Sequence, residues 1–219
     1  MKKAFTLAEV LITLGVIGIV AALTMPALIA NYQKQQTITH LKKMYSVINN
    51  SAKLMEVDDN VPPHGGGMDC SSQTSEDFLN RYIKPYFNIV KTCNSASECG
   101  YPADYNWISP DGTVKSYSMY SYTNPARWAG ATLNDGTLIN ILHRDNTGTG
   151  CYALYFVDLN GPKAPNVMGK DIFVIESNGK ARFLAPQDDT NGCHLGGWGF
   201  HCLSKIISDG WEIKDDYPW

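Results

Sequence analysis

Residues 5–30 read FTLAEVLITLGVIGIVAALTMPALIA, and residues 31–55 continue NYQKQQTITHLKKMYSVINNSAKLM. The first stretch has Glu9 as its only charge. As a helix rising about 1.5 Å per residue it reaches about 39 Å, enough to cross a hydrocarbon layer about 30 Å thick. The second stretch is amphipathic: Ile38, Leu41, Tyr45, Ile48, Ala52 and Met55 recur at alternating intervals of three and four, so one face is built for a core. Lys34, Lys42, Lys43 and Lys53 fall between those positions and read as a solvated face. Apart from Pro26 nothing forbids one continuous helix over 5–55, apolar all round in its first half and one-sided in its second.

Downstream, EVDDNVPPHGGGMDCSS (56–72) gathers acids, prolines and glycines and reads as a loop. SEDFLNRYIKPYF offers Ser75 as a helix N-cap, with Phe78, Tyr82 and Ile83 on one side until Pro85 stops the helix. From about residue 105 the pattern turns strand-like in TVKSYSMYSY, TLINILH, CYALYFVDL, DIFVIES and KARFLAP, separated by Asn-Asp-Gly, Asn-Gly and Ser-Asn-Gly turns. The fold class expected is α+β: a long N-terminal helix packed on an antiparallel β-sheet head. Its divisions are 1–4, 5–30, 31–55 and a head over 56–219.

Composition narrows the function. At 219 residues with 44% hydrophobic and 18% charged residues, the chain can bury a core yet is too polar to span a membrane many times. A formal charge of −3 leaves no basic excess to neutralise a phosphate backbone, so nucleic acid is not the expected partner. The six cysteines at 70, 93, 99, 151, 193 and 202 fit an oxidising, extracytoplasmic head. Catalytic motifs are absent: there is no H-E-x-x-H, G-x-S-x-G, P-loop or C-x-x-C. Residues 148–153 spell G-x-G-x-x-A but precede a strand pattern, where a dinucleotide site needs a helix.

Two other constellations have competing readings. Cys193, His194, His201 and Cys202 are suitable zinc ligands, but in an oxidising compartment the thiols pair first, and intervening glycines let a Cys193–Cys202 loop close. Proximity also favours Cys93–Cys99, which leaves Cys70 with Cys151, a preference among about 15 connectivities. Between two strand patterns, Asp158, Asn160, Asn166 and Asp171 form an oxygen-rich loop that could hold calcium, although Asn160-Gly161 is by itself a turn and the EF-hand spacing is absent. No other cofactor is expected. The C-terminal GWEIKDDYPW, with Trp211, Tyr217 and Trp219, reads as a strand and tail packing on the sheet or contacting another subunit.

Glu9 is the informative residue of the apolar segment. A carboxylate near the centre of a membrane helix costs about 2.5 to 3.5 kcal/mol and persists where it has a partner. An ordinary secretory h-region is shorter than this one and uncharged. KKAFTLAEVLITLGVIGIVAALTMPALI, residues 2–29, resembles the prepilin-type cleavage and methylation segment of type IV pilins and type II secretion pseudopilins. The resemblance covers a basic leader, a Phe, an offset Glu and a long apolar run. It implies cleavage between Ala4 and Phe5 by a prepilin peptidase, with N-methylation of Phe5. Glu9 then falls at the fifth mature position, where it would meet the new amine during assembly, and Pro26 falls where many pilins carry a proline. The family usually has Gly before the cut, and this chain has Ala4.

The resemblance further implies a structural role without an active site: a minor pilin or pseudopilin, anchored in the bacterial cytoplasmic membrane by one span, head outside, and assembled with other pilin or pseudopilin subunits. The alternative from another class is a membrane-anchored extracytoplasmic binding protein that does not polymerise and keeps Met1.

Overall fold

The computed structural model describes residues 6–60, 74–102, 105–106, 108–114, 128–146, 150–177, 183–184 and 192–219. The expected leader and cut site, Ala4 and Phe5, lie outside them, as do Cys70, the side chain of Cys151 and most of the expected TVKSYSMYSY strand.

Helix α1 runs unbroken through Leu7–Val57, with Pro26 inside it. At 51 residues it is about 76 Å long. Its second half behaves as its periodicity requires: Leu41, Met44, Ile48, Ser51, Ala52 and Met55 are buried, with Ile38 and Tyr45 packed against them. Met44 and Ser51 widen the expected stripe by one row each. A short α2, Ser75–Phe78, continues as a π-turn over Leu79–Ile83 and a 3-10 turn over Lys84–Tyr86. The N-cap is Thr74, one residue before the Ser75 expected, because Thr74 and Asp77 form a reciprocal capping box. The end of α1 is tied to this segment: Ser51 Oγ donates to Tyr86 O at 3.2 Å and Asn60 Nδ2 to Arg81 O at 3.0 Å.

The remaining elements are β1 Ile89–Cys93, α3 Ala96–Cys99, β2 Trp128–Leu133, β3 Leu138–Asn146, β4 Gly150–Asp158, β5 Ile172–Ser177, β6 Phe183–Leu184 and α4 Cys202–Ser208. Among the described residues the six strands form one antiparallel meander in sequence order. This is the α+β architecture expected, a long helix with an apolar first half packed by its second half on an antiparallel sheet.

Alternation along the strands puts two cores on the two faces. Ile139, Ile141, Tyr155, Val157, Phe173 and Ile175 face α1, α2 and α4. Leu138, Leu142, Phe156, Ile172 and Val174 face the opposite way, under Tyr101, Tyr105 and Trp128. The strands are therefore apolar on both sides, which is why DIFVIES carries an unbroken run of four apolar residues and TLINILH carries apolar pairs on either side of Asn140 in place of strict alternation.

Strands β1 and β2 have no counterpart among the sequence expectations. β1 is largely exposed at Val90, Lys91 and Thr92, and so lacks an alternating signal. β2 is built on Ala129, Gly130 and Ala131, residues of low strand propensity. The small size of Gly130 is required: a Cβ there would lie 2.6 Å from Cys93 Sγ and 2.7 Å from Cys99 Sγ, so the sheet passes directly beneath that disulfide. The C-terminal strand expected in GWEIKDDYPW is not formed. Helix α4 precedes it, and residues 211–219 lie in turns that pack on the α1 face, with Tyr217 buried and donating its hydroxyl to Gly169 O.

Candidate functional site

Among the described residues, no side chain in the first half of α1 is buried. Its most apolar 18-residue window has a mean hydropathy of 2.3, and none of that window is buried. Leu11, Leu14, Leu23 and Leu28 are each at least 60% exposed, on all sides of the helix. An all-round apolar helix needs an apolar surrounding, a membrane or other helices, since water would penalise every turn. By length and composition this helix can cross a membrane.

At its start the chain carries a feature the sequence reading missed. Thr6 is the N-cap of α1, and Thr6 and Glu9 form a capping box. Thr6 N and Thr6 Oγ1 both donate to Glu9 Oε2, at 2.8 and 2.9 Å, while Glu9 N donates to Thr6 Oγ1 at 3.3 Å. The signal was present as T-x-x-E before an apolar run. Glu9 therefore has a local role, pairing backbone and side-chain groups at the open start of the helix.

The junction of α1 with the head is fixed by polar contacts at the β2–β3 turn. Lys43 Nζ lies 2.8 Å from Asp135 Oδ2, and His40 Nε2 lies 2.9 Å from Thr137 Oγ1. Burial pushes the Asp135 carboxyl up, but the Lys43 ammonium and hydrogen bonds from Thr137 outweigh it and hold the group well below the usual carboxylate range. Nearby, Trp211 adopts φ 65°, a left-handed conformation strained for a bulky residue. It is held by its N–H to Ile206 O at 2.8 Å, by an edge contact with Tyr45 and by the Lys42 ammonium 5.7 Å over its ring.

The expected oxygen-rich segment, residues 157–173, does bring its named residues together. Asp158 and Asp171 are both buried. The Tyr101 hydroxyl donates to Asp158, and Asp171 accepts from Asn166 N at 2.7 Å and Val167 N at 2.6 Å. Asn166, at φ 54°, turns its amide nitrogen toward Lys163 O at 3.1 Å and Asp158 Oδ2 at 3.3 Å. Asn160 Nδ2 donates to Ala164 O at 3.4 Å. The carboxylates thus bind the loop's own backbone and a tyrosine. Among the described residues no group of three or more His, Cys, Asp or Glu side chains is placed to hold a metal ion. The Asn160-Gly161 turn is present, with Gly161 at φ 65°, but it opens a long connection and does not close a two-residue hairpin.

Burial, with the neighbouring Asp171 adding to it against the Tyr101 hydrogen bond, pushes Asp158 from its ordinary 3.8 up to about 8. Burial also raises Asp171. The folded head therefore binds a proton at Asp158 that the unfolded chain releases near pH 4. The stability from this group is complete below that pH and is lost as pH rises toward 8. Asp135 acts oppositely, but only on acidification below its ordinary 3.8. We expect the melting temperature of the full chain in detergent to fall between pH 5 and pH 8. Asp158→Asn, which keeps an acceptor for Tyr101, should flatten much of that slope and raise the pH 8 value. An equal slope in the variant would place the titration elsewhere.

Disulfides join Cys93 to Cys99 and Cys193 to Cys202, with Cα separations of 5.2 and 4.6 Å, the two short-range pairings expected. The second bond occupies both thiols of the alternative zinc set. The Cys70–Cys151 pairing falls outside the described residues.

A family model described as a family of unknown function, DUF6613, matches residues 27–219, the second half of α1 and the whole head. No curated protein and no solved structure matches the chain.

Proposed function

We propose that this chain, which belongs to the DUF6613 family of unknown function, is a structural subunit, a minor pilin or pseudopilin, of a type IV pilus or type II secretion pseudopilus. One observation carries the reading: a single helix whose second half is the core of a disulfide-bonded head and whose first half is apolar all round and uncovered. Such a helix can rest in a membrane and then exchange lipid for the helices of other subunits without changing conformation, which is what a subunit stored in a membrane and drawn into a filament requires. In this role prepilin peptidase removes Met1–Ala4, Phe5 is N-methylated, the head lies outside the cytoplasm, and the protein is a substrate of processing with no catalysis of its own.

Mass analysis of the N-terminal peptide from native material tests the reading. The expected peptide begins at Phe5 and carries one added methyl group. Surface-exposed protein that retains Met1 would instead support a non-polymerising anchor.

A further inference from the structure

We draw no further inference here: the strongest candidate, the groove between the second half of α1 and the C-terminal segment, lined by Lys34, Ile38, Lys42, Trp211, Ile213 and Lys214, carries none because nothing in the structure shows what covers it, and the Lys42 ammonium and the Trp211 ring in its wall already engage each other.

Discussion

Glu9→Gln and Glu9→Ala proteins should enter the membrane and be processed like the wild type, yet their recovery in sheared surface filaments should fall by more than about a hundredfold. The magnitude follows from the 3 to 5 kcal/mol typical of leaving one partner of a buried ion pair uncompensated. In the proposed subunit, processing creates an amine at Phe5 that becomes buried among helices, and Glu9 is the only acid in residues 5–30 that can neutralise it. Both hydrogen bonds from Thr6 use Glu9 Oε2, so Oε1 is left for an amine within or between subunits. The capping box supplies the control. Thr6→Ala removes the hydroxyl that donates to Glu9 and accepts from its N–H, keeps the backbone donor and leaves the carboxylate, at a cost of about 1 kcal/mol for a lost cap. Its filament recovery should stay within about tenfold of wild type. Thr6→Ala falling as far as the Glu9 variants would make Glu9 a cap and nothing more. Wild-type recovery of all three would remove the pairing role altogether.

Cys193→Ser and Cys202→Ser should each lower the melting temperature of the full chain in detergent by about 10 °C. The bond is expected to contribute about 2 to 4 kcal/mol, and a head of this size shifts about 2 to 4 °C per kcal/mol. Cys202 opens α4 and is fully buried, and Leu203 and Ile206 on the same short helix complete the core beneath α1. The site is crowded: a Cβ on Gly169 would lie 2.5 Å from Cys202 Sγ. Serine at 202 therefore loses the bridge and leaves a hydroxyl among apolar groups. A reductant should shift the wild type in the same direction and the variants less. Unchanged melting of both variants would mean that α4 is held by packing alone.

The α1 helix and β3, β4 and β5 were legible because each is long and its hydrophobic period is unambiguous. Residues 5–30 are apolar without a period, 38–55 repeat every three to four, and the strand patterns are rich in β-branched and aromatic residues. The two short disulfides were legible from proximity alone. β1 and β2 were not, since an exposed edge strand needs no apolar alternation and a strand under a disulfide needs small residues whatever their propensity. In the tail, Trp211, Tyr217 and Trp219 suggested a strand, whereas residues 211–219 form turns that pack those side chains on the α1 face.

By itself the sequence determined the order of the chain: an apolar stretch, an amphipathic continuation and a disulfide-bonded α+β head, with Glu9 as the one charge of the apolar stretch. These follow from local composition and period, which act over one or two turns of chain. The tertiary structure alone decided what distant residues do to one another. It closed Asp158 and Asp171 into a loop held by Tyr101, where burial governs their protonation. It also carried Trp211 across to Tyr45 and Lys42, making a groove at the edge of the apolar stretch from segments far apart in the chain. Contacts of that kind depend on which faces meet once the sheet is covered on both sides, and no single segment encodes them.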